Sequence, residues 1–381
     1  MHSAAGPFYG IYSLGEFVDE ILDDPVRFLN RPAVIEPNIT DEKWSTLTKR
    51  INDDDVISDE EYDEELGKIY AGLLPIGSQG CSYLHALVLN GPHQGRVVNL
   101  DLDRQKPKFA FERNFLDWYE RWLDEVISGY LTQDGPTWFG YTMGGDDEHL
   151  MRVCAHADGR ETKLEALMGL GKLVAATEES CLELLELCGE RDAEIRYHAL
   201  WMLTKFAYPM AREPLRTHIV GTDDDCLAAC QSINWYAKKQ SKEWVDLLRS
   251  RLPTVNTPET FRFLSYLLVE SSMDFSRDFR PFCTHEHEDI RVTAFYSLGQ
   301  LKNKKTLVEL FIVGLDDTSP RVVHTVLQAL DGVRDRRLLE AYARLLDRFR
   351  TDEHYVLTNL EHRLRDMGIG PIRQFRKQSA R

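Results

Sequence analysis

EDIRVTAFYSLGQL, residues 288–301, decides the fold of more than half of this chain. It reads as an acid, then Ile-Arg, then small and apolar residues at helical spacing, then Leu-Gly-x-Leu. The same order returns upstream in AEIRYHALWML (193–203) and LEALMGLGKL (164–173). Downstream it returns in SPRVVHTVLQAL (319–330) and EHYVLTNLEHRL (353–364). Gly171 and Gly299 lie 128 residues apart, four steps of 32, and Arg196 and Arg291 lie 95 apart, close to three such steps. Second amphipathic helices fall between the copies, as in TLVELFIVGL (306–315) and RLLEAYARLLDRF (337–349). Pro258 after Thr257 and Pro320 after Ser319 suit the first helical position, where a missing N–H costs nothing. Two helices per period of about 30–33 residues make a helical solenoid, whose units bury their apolar faces only by stacking.

The pattern resembles short HEAT repeats. About six units span 160–368, with 210–285 degenerate, and the basic tail 369–381, ending in RQFRKQSAR, is expected to be disordered or a cap. Arg196, Arg291 and Arg321 recur at the repeat period. They could line a ligand groove. In repeats of this kind such arginines more often hold neighbouring loops through carbonyls or Asp.

Ahead of the repeats the periodicity is different. Ser13 with Glu16 forms a capping box before Leu14, Phe17, Val18, Ile21 and Leu22, which predicts a helix. Thr40 caps a second helix with Trp44, Leu47 and Ile51 as its stripe, and Ser58 with Glu61 caps a third. YLHALVL (83–89) and RVVNLDL (96–102) then read as strands joined through Asn90-Gly91 and Gly95, and KFAF (108–111) as a short third strand. Asn114 caps a closing helix, FLDWYERWLDEVIS, expected to bury Phe115, Trp118 or Tyr119, Trp122, Val126 and Tyr130. Residues 1–131 therefore form an α+β domain, an antiparallel sheet with flanking helices. Residues 132–159 read as a linker whose Trp138, Phe139 and Tyr141 pack onto one domain, and 160–368 form an all-α HEAT-like solenoid.

The run LLPIGSQGCSYLHALVLNGPHQGRVVNLD, followed by FAFERNFLDWYERWLDEV, resembles the SUKH superfamily. Its marks here are Pro75, Gly77, Gly80 and Cys81 before the strand pair, Gly91 and Gly95 in the turn, and Phe115, Trp118 and Trp122 in the closing helix. Members of that superfamily include bacterial immunity proteins of toxin systems and a fungal cell-wall-synthesis regulator. Such domains begin with a Leu-Pro…Tyr helix, whereas this chain starts near the glycine turn at Gly6–Gly10, so the resemblance implies that the opening helices are lacking.

Charge separates the two parts. Of 46 Lys+Arg and 62 Asp+Glu, residues 1–150 hold 12 and 28, so the whole net charge of −16 lies there. Such a surface repels nucleic acid and anionic membrane and attracts a basic protein. No apolar run reaches the length of a membrane span, and MHSAAGPFYG lacks the basic and apolar regions of a secretory signal. Seven cysteines without a C-x-x-C pair read as reduced, mostly buried thiols of a cytoplasmic protein.

Several groupings carry potential chemistry. Cys81 with His85 and His93 could make a nucleophile pair, against a small buried thiol opening a strand. Cys283, His285 and His287 bunch potential zinc ligands but need a second segment, so an exposed loop is the favoured reading, and Cys226 and Cys230 read as core packing. Asp101 and Asp103 could hold a divalent metal, or simply face outward from a strand whose Val98, Leu100 and Leu102 face in. No nucleotide, hydrolase or metalloprotease signature occurs, and no cofactor is implied. A lyase-like activity of the kind some HEAT proteins assist lacks a convergent acid, base and nucleophile. The densest acidic patch, Asp53, Asp54, Asp55, Asp59, Glu60, Glu61, Asp63, Glu64 and Glu65, is either a solvated helix face or a decoy for a basic toxin surface. The expectation is a non-enzymatic immunity protein that neutralises a cognate toxin domain, such as a nuclease. The alternative is a regulatory or assembly scaffold that binds protein through the solenoid.

Overall fold

Alternation in YLHALV and VVNLD puts Leu84, Ala86, Val88, Val98 and Leu100 on one face of a pleated sheet, and these residues sit in the larger apolar core of the N-terminal half. The computed structural model describes residues 5–13, 15–53, 57–130, 139–349 and 355–379. It divides into two units, Met1–Ser180 and Cys181–Arg381.

In the first unit, α1 (Pro25–Leu29), α2 (Asp41–Asp53) and α3 (Asp59–Ile69) precede β1 (Leu73–Gly80), β2 (Tyr83–Val88), β3 (Val97–Asp101) and β4 (Lys108–Phe109). The strands form an antiparallel meander in the order β1-β2-β3-β4. Then come α4 (Phe115–Ile127), α5 (Asp147–His156) and α6 (Arg160–Leu170). The division between the units falls inside α7 (Glu178–Leu187). Thr40 Oγ1 accepts from the Lys43 N–H at the start of α2, Ser58 and Glu61 complete the capping box of α3, and Asn114 caps α4, as their sequence signals predict.

Four expectations are corrected here. The Ser13–Glu16 signal starts no helix: residues 15–21 are turns and bends, because Gly15 (φ 82°) and Phe17 (φ 56°) take left-handed conformations that break the helical run, although Ile21 and Leu22 do enter the core. LLPIGSQG (73–80) is a strand. Its proline and glycines hide the alternation, yet Pro75 is tolerated because β1 is an edge strand, and the register shifts beside Pro75 and Ser78 are bulges. The N-terminal segment crosses this edge, with the Tyr12 N–H donating to Ile76 O at 2.9 Å and Gly10 O so close that a Cβ on Gly77 would lie 2.7 Å from it. Both faces of β3 are covered, so Asp101 is buried, accepting from Ser82 Oγ at 2.7 Å and the Asp103 N–H at 2.9 Å, while Asp103 stays exposed. Finally, residues 147–156 of the expected linker form α5, opened by Asp146, whose side chain accepts from the His149 N–H.

The second face of the sheet packs on α4 through Ile76, Val97, Ala110, Trp118 and Phe139. Phe139 sits 5.4 Å, ring to ring, from the fully buried Trp118, so at least this aromatic of the 132–149 segment does pack onto a core. Trp138 lies outside the described residues. The buried face of α4 differs in part from the apolar reading: Trp118 is buried, with Phe115, Tyr119 and Trp122 packed half-buried against the same cluster, but Arg121 and Glu125 are buried too and Val126 is 37% exposed.

In the second unit, α8 (Ala193–Phe206), α10 (Asp223–Tyr236), α12 (Pro258–Glu270), α14 (Glu288–Gly299), α16 (Pro320–Ala329) and α18 (Tyr355–Asp366) pack in succession as one layer. A second layer holds α9 (Tyr208–Ile219), α11 (Val245–Arg251), α13 (Ser276–Phe279), α15 (Val308–Leu315), α17 (Leu338–Arg348) and α19 (Ile372–Ser379). This is a HEAT-like solenoid. The middle of the second layer breaks into short 3-10 turns at 238–244, 252–254 and 280–284, two of them opened by Pro253 and Pro281, which is why the repeat is degenerate there by sequence. Pro258 and Pro320 occupy the first helical positions expected of them. The tail is not featureless: residues 372–379 are helical.

Candidate functional site

Along the first layer of the solenoid, successive helices present rings at one level. Trp201 on α8, Trp235 on α10, Phe263 and Tyr266 on α12 and Tyr296 on α14 form a connected row, with ring separations of 5.3, 6.2, 5.8 and 6.5 Å. His198 extends it at 4.7 Å from Trp201. The repeat makes part of the row: Glu194, Asp224, Glu259 and Asp289 are each the second residue of their helix, and positions two turns further along the same face hold Trp201, Tyr266 and Tyr296, whereas α10 has Gln231 there and supplies Trp235 one turn later. Trp201 is fixed by its Nε1–H, which donates to Ala228 O at 3.1 Å. Trp235 and Tyr296 are each 47% exposed, and the Trp235 indole N–H and the Tyr266 and Tyr296 hydroxyls bond to none of the described residues. Large rings with idle donors, held on a rigid layer, have the composition of a protein contact surface. Helical spacing could have found Trp201, Tyr266 and Tyr296, each five residues beyond the position of Arg196 and Arg291 in its repeat, but not Trp235, which falls outside that register.

The periodic arginines do structural work. Arg291 donates to Asp317 at 2.7 and 3.1 Å and to the carbonyls of His285 and Glu286, and Arg196 reaches Asp225 and the carbonyls of Glu190 and Arg191. Arg321 instead pairs with Glu288 and Asp289 on the preceding helix and is largely exposed.

The predicted acidic patch is smaller than its sequence. Asp53 closes α2, and its side chain, with Asp54 and Asp55, lies outside the described residues. Arg50 binds Glu61 and Glu65, Lys68 binds Glu65, and Arg27 binds Glu64. Asp59, Glu60 and Asp63 carry no ion pair among the described residues. Desolvation, helped by the charges of Asp23 and Asp59, pushes the Asp63 carboxyl above its ordinary range.

The other candidate groupings are not brought together as catalytic or metal sites. Cys81 is exposed at the β1–β2 turn with φ 50°, which corrects the buried-thiol reading. His85 is fully buried, its Nδ1 lying 2.8 Å from Asn99 Oδ1 and 3.1 Å from Gln79 Nε2, which itself donates to Asn99 Oδ1 at 3.1 Å. Cys283 is buried, while His285 and His287 accept the backbone N–H groups of His287 and Asp289. Cys226 and Cys230 lie in the core. Among the described residues no group of three or more His, Cys, Asp or Glu is placed to hold a metal.

Sequence reading missed one cluster. Arg121 reaches Glu112 and Glu125 at 2.7 Å each and Thr142 O at 2.7 Å, and Lys172 reaches Glu125 at 3.2 Å, with both cations near the Phe139 ring. They border a cleft of about 530 Å³. Burial pushes the Lys172 ammonium below its ordinary range, while Glu125 holds it up. The charges balance, and a Cβ on Gly144 would lie 2.3 Å from Arg121 Nε, so the cluster fastens α4, the glycine-rich segment after it and α6. Nothing in the spacing of these four residues announces it.

No protein-family model and no curated protein matches the chain. Among solved structures, a chain of the CpcE–CpcF complex of phycocyanin lyase from Nostoc sp. PCC7120 is similar over 65% of this chain and 98% of its own, at 15% identity and TM-score 0.37. An engineered protein is similar over 59% of this chain and 97% of its own, at 14% identity and TM-score 0.31. Among the described residues no helix is long and apolar enough to cross a membrane.

Proposed function

We propose that the chain is a protein-binding scaffold whose helical repeats carry the principal contact surface. One observation carries this reading: the row from Trp201 to Tyr296 crosses four successive helices of the first layer, with Trp235 and Tyr296 exposed and the rings between and beside them half-buried. Aromatic anchors of this kind dominate binding energy at protein interfaces, each contributing on the order of 2 kcal/mol or more when buried by a partner. The protein binds rather than catalyses, and its thiols suit a reducing cytoplasm.

A second reading keeps the SUKH resemblance of the N-terminal unit: an immunity protein whose acidic face captures a basic toxin domain. The unpaired carboxylates Asp59, Glu60 and Asp63, within a half of net charge −16, support it. Photo-crosslinking in the native cell separates the two. A benzophenone amino acid at Tyr296 is expected to trap a protein partner. Trapping only from Glu60, with protection when a neighbouring toxin-like gene is co-expressed, would move the function to the acidic unit.

A further inference from the structure

A second cleft in the first unit, about 520 Å³, has the opposite charge from its surroundings. Residues 1–150 hold 28 acids and 12 bases, yet Arg96, Lys106 and Lys108 all line this one cavity, with Glu165 as its only acid. The cations are poorly matched. Arg96 spends one N–H on a neutral acceptor, Ala110 O at 2.8 Å, and its enclosed Nε has no partner. Lys108 has Glu165 at 3.8 Å, beyond hydrogen-bond range. Only Lys106 is closely paired, with Asp41, a residue that is itself 89% exposed. Burial pushes the Arg96 guanidinium down, against the nearby charge of Glu112, which raises it. Burial also raises the Glu165 carboxyl, against the Lys108 charge, which lowers it.

The floor is aromatic. Arg96 lies 5.1 Å from the Phe109 ring centre and Lys108 lies 5.3 Å from that of Phe111. A volume of this size suits a small molecule, with an apolar wall for its body and a few polar groups to orient it.

We propose that this cleft binds a small anionic ligand, a phosphate or carboxylate carried on a ring or similar apolar body, with Arg96, Lys106 and Lys108 holding the anion and Phe109 and Phe111 holding the body. The site is built from the first unit alone and does not depend on the scaffold reading.

Calorimetric titration of the intact protein at low salt tests it, with phenyl phosphate, benzoate and neutral benzamide as probes. At least one anionic probe is expected to bind more tightly than roughly 1 mM. Benzamide is expected to bind at least about tenfold more weakly, and Lys108→Gln to weaken the anion about tenfold, as loss of a charge-assisted contact does. The preference between phenyl phosphate and benzoate names the anionic group. Because Arg96 also holds the Ala110 carbonyl, Arg96→Gln is read only alongside Lys108→Gln, which leaves that bond intact. Binding of both anions weaker than roughly 1 mM, equal binding of benzamide, or unchanged affinity in Lys108→Gln overturns the proposal.

Discussion

His85 is fully buried on the α4 side of the sheet, its ring 5.0 Å from Trp118 and its Nε2 without a partner. Burial pushes its pKa down to about 4, against the Asn99 hydrogen bond, which raises it. The native state therefore holds it neutral. Its contribution to stability is complete above the unfolded value near 6.5 and is lost as pH falls toward 4. Urea unfolding at pH 7.5 and 4.5 is expected to show about 2–3 kcal/mol more loss in the wild type than in His85→Gln, both sharing every other titrating group. Equal losses would mean that the ring is charged or wet in the native state. The sequence offered this histidine as a nucleophile's partner. Strand alternation alone could not tell that the face carrying His85 and Asn99 lies under a helix. Cys81 was misread for a related reason: glycines on its flank signal a turn, and a turn residue with positive φ projects to solvent.

At the scale of elements, Arg291 and Asp317 join consecutive repeats with side chains only 14% and 9% exposed. Arg291→Ala strands a buried carboxylate, so thermal or urea unfolding should register a loss of roughly 3 kcal/mol, with Arg291/Asp317 double removal costing less than the two single changes together. Additive losses would contradict the pairing. Gly299 is required by packing: a Cβ there would lie 2.6 Å from Ala329 Cβ and 2.9 Å from its Cα. Gly299→Ala should therefore destabilise by about 1–3 kcal/mol, whereas Gly171→Ala, whose nearest atom is Met168 O at 3.0 Å, should be tolerated better. Close helix approach thus accounts for the glycine of the Leu-Gly-x-Leu signature at Gly299, while at Gly171 it does not. The middle repeats were not, because prolines and 3-10 turns shorten their second helices without disturbing α10 and α12. In the first unit, caps at Ser58 and Asn114 held because an ordinary helix follows each, whereas the box at Ser13 and Glu16 is followed by residues with positive φ.

Across the whole molecule, net charge accumulates in the first 150 residues, and the ring row from Trp201 to Tyr296 lies on the repeats. Half of the acidic face of α3 is consumed by Arg27, Arg50 and Lys68, which weakens it as a decoy and leaves the rings as the larger unspent surface. The solenoid was readable from its period, while the exposure of its ring row was not, since a ring at helical spacing is core or surface according to a rotation that only the packed layer fixes. Replacing Trp235 or Tyr296 removes ring contacts worth about 0.5–1.5 kcal/mol each, so urea unfolding of the ring variant, run beside its binding, separates binding from folding. The most direct measurement is quantitative affinity capture from the native cell with three full-length forms: wild type, Trp235→Ser/Tyr296→Ser, and Asp59→Lys/Glu60→Lys/Asp63→Lys. The scaffold account predicts that the principal partner falls at least about tenfold with the ring variant and persists with the charge-reversed one. Retention by the ring variant with loss from the charge-reversed variant would contradict it and place function on the acidic unit.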